Sequence, residues 1–150
     1  SAIFSLVIGA AAFEVWIAMR RKECRRQQLK NEEYNQILEK WLSERQNGHR
    51  IEEYFMKHGI YTIGIYGYGM LGRLLYKELR ESPVSIKCIF DRNLRQGPEN
   101  LPVMSPKEAD SLKLEAIVVT PVCEYEKIKR ELEMETSVHI LSLEDILAEI

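Results

Sequence analysis

The stretch IYGYGMLG, residues 65–72, places three glycines at spacings of two and three. The preceding run, residues 60–66, is rich in β-branched and aromatic residues and predicts a buried strand. The following run, residues 70–81, carries leucines at 71, 74, 75 and 79 on one face and predicts a helix. A strand that passes through a tight glycine turn into a helix, followed by a second strand at residues 84–90, is a βαβ unit.

The rest of the chain continues this alternation. Short strands are predicted at residues 102–104, 116–122 and 138–141, and helices after Ser105, over residues 124–133, and from Ser142 to the end. Ser105, Pro106 and Glu108 form a helix-start pattern. The sequence therefore predicts an α/β fold with a Rossmann-like five-stranded parallel sheet in strand order 3-2-1-4-5, preceded by N-terminal α-helices.

The three glycines are suited to a phosphate-binding turn. Gly67 permits the turn out of the strand, Gly69 removes a side chain where a pyrophosphate would approach, and Gly72 lets the helix pack closely on the strand. The helix N-terminus offers N–H groups and a partial positive charge to a phosphate. Asp91, 19 residues after Gly72, stands where an acid accepts hydrogen bonds from ribose hydroxyls.

Ligands of such sheets bind outside the carboxyl ends of the strands. Thr120 is a candidate to hydrogen-bond a ribose or a nicotinamide amide, and Pro121 and Val122 to pack on a ring, although they equally fit a plain strand end. Arg92 favours a 2′-phosphate, but Asp91 repels one, so NAD is the preferred ligand and NADP, coenzyme A and a nucleotide-sugar are the alternatives. The predicted nucleotide-binding residues are Gly67, Tyr68, Gly69, Met70, Leu71, Gly72, Asp91, Arg92, Thr120, Pro121 and Val122.

The sequence offers weak candidates for catalysis and none for a metal. Tyr125 and Lys129 have the Y-x-x-x-K spacing of the acid/base pair of short-chain dehydrogenases, but a solvated helix face that alternates Glu and Lys explains them more simply. The predicted α/β domain leaves little room for a substrate pocket. The three cysteines and three histidines are scattered and match no metal-ligand spacing. A net charge of −2 argues against a dedicated nucleic-acid binder.

The N-terminal region divides into two segments. Residues 2–19 contain a single charge, Glu14, and residues 20–30 contain six basic side chains and one acid. This resembles a membrane helix with a cytoplasmic basic flank, and a soluble helix that packs against a second copy is the alternative. The stripe of Tyr34, Ile37, Leu38, Trp41 and Leu42 predicts an amphipathic helix that packs on the following domain or on another subunit. The predicted divisions are 1–22, 23–57 and 58–150.

Several segments of the last ninety residues carry a family resemblance. They are IGIYGYGMLGRLLYKEL, IKCIFDRN, LPVMSP, AIVVTPVCEYEKIKREL and HILSLEDIL. Together they resemble the small, coenzyme-A-binding-type Rossmann domains that precede nucleotide-sugar dehydratases and epimerases of bacterial polysaccharide biosynthesis. The resemblance implies a nucleotide or nucleotide-sugar ligand in surface-glycan metabolism, without implying catalysis. Residues 1–57 do not share it.

These observations lead to three hypotheses. The first is a non-catalytic or regulatory nucleotide-binding module that works with glycan-biosynthesis enzymes. It would be cytoplasmic, with a possible tether to the cytoplasmic face of the membrane, and would form a homo-oligomer through its N-terminal helices. The second is a small oxidoreductase or nucleotide-sugar epimerase or dehydratase subunit that completes its site by oligomerisation. The third is an interaction scaffold with a degenerate Rossmann domain.

Overall fold

A computed structural model describes all 150 residues of the chain. The chain divides into two compact units, residues 1–36 and residues 37–150. A single uninterrupted helix, α1 (Ala2–Gln46), supplies all of the first unit except Ser1, and the opening ten residues of the second. It carries no break near residue 22, because no Gly or Pro occurs between Gly9 and Gly48.

The first unit presents its apolar side chains to the surroundings rather than to protein. In residues 2–19, nine large apolar residues are each more than half exposed, and they lie on every side of the helix, whereas Ile17 is partly buried. The helix is long and apolar enough to cross a membrane, a property that core helices and signal sequences share. The exposed residues of this segment are Ile3, Phe4, Leu6, Val7, Ile8, Phe13, Val15, Trp16 and Met19.

The second unit alternates strands and helices. Its elements after α1 are α2 (Glu52–Lys57), β1 (Thr62–Tyr66), α3 (Met70–Leu79), β2 (Ser85–Phe90), β3 (Ala116–Val119), α4 (Tyr125–Glu135), β4 (His139–Ser142) and α5 (Leu143–Glu149), with short 3₁₀ helices at Pro98–Asn100, Pro106–Leu112 and Val122–Glu124.

The sheet has four strands, all parallel, in the order β2-β1-β3-β4. The predictions of an α/β fold, a parallel sheet and a leading helix are confirmed, whereas five strands in the order 3-2-1-4-5 are wrong. The segment predicted as the third strand forms one isolated parallel bridge, between Val103 and Ile89. The amide of Ile89 donates a hydrogen bond to the carbonyl oxygen of Pro102, and the amide of Met104 donates one to the carbonyl oxygen of Ile89, both at 2.9 Å. Because Pro102 has no N–H and Ser105 already caps the next helix, the pairing extends no further.

Helices cover both faces of the sheet. The connections β1–α3–β2 and β3–α4–β4 cross the sheet in opposite directions, so right-handed crossovers put α3 and α4 on opposite faces. On the α4 face, a buried cluster joins the strands to α4 and to the 3₁₀ helix Pro106–Leu112. It consists of Cys88, Phe90, Ala109, Leu114, Ile117, Val119, Ile128, Leu132 and Ile140.

The end of α1 belongs to the core of the second unit. Ile37 and Trp41 of the predicted stripe are buried, whereas Leu42 is exposed. The indole N–H of Trp41 donates to the carboxylate of Glu78 in α3 at 2.6 Å, and the amide of Ile51 donates to the same carboxylate at 3.2 Å. A guanidinium nitrogen of Arg45 lies 3.5 Å from it. Through these two hydrogen bonds and this ion pair, Glu78 connects α3 to the end of α1 and to the start of α2.

Candidate functional site

The glycine turn leaves β1 through Gly67. This residue has a φ of +86°, and its amide donates to the carbonyl of Phe90 at 2.8 Å. A Cβ atom at this position would lie 2.8 Å from Cδ of Pro121 and 2.9 Å from Oγ1 of Thr120. Only glycine combines the left-handed conformation with this close approach.

Gly72 is required by the same turn. It lies in the first turn of α3, and a Cβ atom there would overlap the carbonyl oxygen of Gly67. The absence of a side chain lets α3 start directly against the end of β1. The packing role predicted for this glycine agrees with its surroundings.

Gly69 differs from both, because nothing in the protein needs a glycine there. It is exposed, its φ is −77°, and a Cβ atom would meet no atom within 4 Å. A side chain at this position would therefore extend only into the space in front of the turn.

The same space is lined by unpartnered backbone amides. Helix α3 begins at Met70, and Gly69 at its N-cap contributes no side-chain hydrogen bond. The first turn contains no acidic residue. The amides of Gly69, Met70, Leu71 and Gly72 have no acceptor among the hydrogen bonds of the protein. Such a helix start presents donors and a partial positive charge to an anion.

Asp91 lies directly beside the turn. One carboxylate oxygen accepts from the amide of Tyr68 at 2.8 Å, and the other accepts from the amide of Asn93 at 2.8 Å. The predicted ribose-binding acid therefore fixes the turn, and the Tyr68 amide is not open to a phosphate. Each carboxylate oxygen retains a lone pair with which to accept a ribose hydroxyl.

Thr120 supports the turn from below. Its side chain is almost completely buried, and its hydroxyl lies 3.0 Å from the carbonyl oxygen of Tyr66 and 2.9 Å from that of Gly67. The hydroxyl can donate a hydrogen bond to either carbonyl oxygen and thereby stabilises the end of β1. A direct contact of Thr120 with a ribose or nicotinamide stays a prediction.

Two neighbouring cavities open at the carboxyl ends of β1 and β2, on the α4 side. The smaller has a volume of about 220 Å³ and runs from Gly67 past Asp91 and Asn93 to Pro121 and Ile128. The larger has a volume of about 440 Å³ and lies between Phe90, Met104, Lys107 and Leu132. Both are lined by Tyr66, Phe90, Asp91, Arg92 and Glu131.

Charged side chains surround the larger cavity. Three carboxylates, of Asp91, Glu131 and Glu135, stand against the basic side chains of Arg92 and Lys107. A guanidinium nitrogen of Arg92 lies 3.8 Å from the carboxylate of Glu131. Burial raises the pKa of the Tyr66 hydroxyl above its usual value, and the nearby Arg92 partly offsets this. The two glutamates and Lys107 were not predicted, because only the packing of α4 and of the Pro106–Leu112 helix brings them to β2.

Tyr125 and Lys129 lie on α4 but line neither cavity. Lys129 Nζ is 6.0 Å from the centre of the Tyr125 ring and 4.0 Å from the carboxylate of Glu133. Burial, followed by the negative charge of Asp145, raises the pKa of Tyr125. A phenol that must give up its proton at neutral pH needs the opposite shift, so this arrangement does not favour the acid/base role.

No family model matches the chain, and neither a curated protein nor a solved structure is significantly similar to it.

Proposed function

We propose that the second unit is a nucleotide-binding module with a Rossmann-like fold, whose ligand is of the NAD type. The diphosphate would bind the amides at the start of α3, between Gly69 and Leu71. The ligand class is a dinucleotide, with a nucleotide-sugar, coenzyme A or NADP as the alternatives.

The observation that carries this proposal is the contrast among the three glycines. Gly67 and Gly72 are explained by internal contacts, whereas a side chain at Gly69 would touch nothing in the protein. A diphosphate held by backbone amides needs that position free of a side chain. The amides of Gly69, Met70 and Leu71, which have no internal acceptor, supply the donors.

The surroundings of the turn fit the remainder of a nucleotide. Asp91 stands next to the turn with lone pairs available to ribose hydroxyls. The smaller cavity continues from Asp91 between Pro121 and Ile128, where a planar base would find apolar contacts. The larger cavity adjoins it and gives the nucleoside further room.

A regulatory or purely binding role is favoured over catalysis. The one acid/base pair suggested by spacing, Tyr125 and Lys129, lies outside both cavities, and the raised Tyr125 pKa works against release of the phenol proton at neutral pH. The resemblance to modules of polysaccharide biosynthesis supports a place beside glycan-synthesising enzymes.

Equilibrium titration with NAD, NADH, coenzyme A and UDP-sugars tests the proposal. We expect one of these ligands to bind the wild type and to lose most of its affinity in Gly69→Leu, because the new side chain would fill the space of the diphosphate. Ser111→Leu, an exposed substitution at the far end of the Pro106–Leu112 helix, serves as the control. Equal affinities of the wild type and Gly69→Leu for every ligand would refute the site.

The N-terminal helix supports a location at the cytoplasmic face of a membrane. Residues 2–19, an apolar segment of 18 residues with the single charge of Glu14, span about 27 Å as a helix, close to the hydrocarbon thickness of a bilayer. Apolar and basic residues are separated along the helix axis rather than around it, which is typical of a spanning helix and not of one lying in the interface. Arg20 stacks on Trp16, 5.3 Å from the ring centre, as an aromatic anchor at the basic end. Association of such helices would form the homo-oligomer.

A further inference from the structure

The ion pair of Arg92 and Glu131 lies where the two cavities meet. Both residues line the smaller and the larger cavity. Arg92 comes from the loop after β2, and Glu131 comes from α4. The pair therefore links the two sides of the opening. In the proposed module, the ribose of the ligand would bind at this opening.

Arg92 is the side chain that would attract a phosphorylated ribose. It follows directly after Asp91, whose carboxylate favours free hydroxyls and repels a phosphate. On that loop the positive charge of Arg92 opposes the preference for free hydroxyls that Asp91 creates. Glu131 changes this balance, because it engages the guanidinium and leaves the charge of Asp91 uncompensated.

We propose that Glu131 is a specificity-determining residue: by pairing with Arg92, it makes the site select an unphosphorylated ribose over one with a 2′-phosphate. The proposal rests on the proposed nucleotide site and adds to it a discrimination between NAD and NADP. It assigns the role to a residue on α4, forty residues from the acid after β2.

The pair is weak enough to be tuned by a single substitution. The side chains of Arg92 and Glu131 are 85% and 46% exposed, and the closest nitrogen–oxygen distance is 3.8 Å. Exposed ion pairs of this kind are screened by salt. We therefore expect a preference of several-fold that weakens as the ionic strength rises.

Dissociation constants for NAD and NADP, measured on the full chain in detergent, test the proposal. We expect Glu131→Gln to improve NADP binding by about threefold to fivefold and to leave NAD binding nearly unchanged, in line with the size of an exposed charge interaction. In an Arg92→Gln background the same change should leave the ratio of the two constants unaltered. Glu133→Gln is the matched control, since Glu133 lies on the same helix beside Lys129 and lines neither cavity.

The outcomes separate this inference from the function on which it rests. If the wild type binds NAD and the NAD-to-NADP ratio is the same in Glu131→Gln, or shifts equally in Glu133→Gln, the role of Glu131 is refuted while the nucleotide site stands. A wild type that prefers NADP also refutes it. If no variant binds either dinucleotide, both the inference and the proposed NAD-type ligand are refuted.

Discussion

The two units of the chain treat apolar side chains in opposite ways. In residues 1–36 most large apolar side chains are more than half exposed, whereas in residues 37–150 Ile65 of β1, Ile117 of β3 and Leu75 of α3 are completely buried. Both regions contain many apolar residues, so the presence of such residues alone does not distinguish them. The distribution does: the second unit places apolar residues on the faces of strands and helices, and the first places them around an entire helix.

The two units are expected to differ most strongly in their affinity for a lipid bilayer. If a bilayer covers it, the full chain should float with liposomes and resist alkaline extraction, whereas residues 37–150 should stay in solution. Ile8→Lys should abolish insertion, since a central lysine costs about 2.5 to 3.5 kcal/mol, comparable to the favourable total of the apolar segment.

A matched control places the same lysine outside the apolar segment. Leu29→Lys changes an equally exposed residue of α1 that lies in the basic flank, and it should leave flotation unaffected. A full chain that is soluble without detergent would contradict the membrane assignment, and a soluble oligomer would favour a helix that packs against a second copy.

The two units should also differ in how they tolerate an added methyl group. Gly72→Ala would drive a Cβ atom into the carbonyl oxygen of Gly67, so we expect a loss of about 2 to 4 kcal/mol in the free energy of unfolding. Gly9→Ala meets nothing within 4 Å in the helix of the first unit, and should leave the helix intact or raise its content slightly. Urea unfolding followed by circular dichroism measures both. Equal and small effects would show that the turn has room to relax.

The glycine turn illustrates what the sequence can predict. The runs on either side of it predicted the strand and the helix, and its spacing predicted the close approach of Gly72, because each of these depends on residues next to one another in the chain. The adjacency of Asp91 to the turn followed from the parallel pairing of β1 and β2, which is also encoded locally. Local patterns of this kind are reliable because backbone sterics leave few alternatives.

Other features depend on distant packing and were missed. The third predicted strand reduces to one bridge at Val103, since Pro102 has no N–H to donate and Ser105 caps the helix that follows. Glu131 and Glu135 line the larger cavity only because α4 packs beside β2. No spacing in the sequence relates these residues to Asp91, so a site assembled from separate elements could not be predicted before the fold was known.

The smallest expected effect concerns a carboxylate that ties elements of the second unit together. Glu115 accepts from the amides of Tyr61 and Thr62 at 2.6 and 2.8 Å, and these bonds lower its pKa below the usual 4.5. A lowered pKa in the folded state contributes stability above about pH 4.5 that is lost as the pH falls through the folded value. Glu115→Gln should therefore lower the urea midpoint at pH 7, and the difference from wild type should shrink below pH 4.5. Glu126→Gln, an exposed carboxylate that accepts no hydrogen bond, is the control. A difference that is independent of pH would mean that Glu115 acts through its shape rather than its charge.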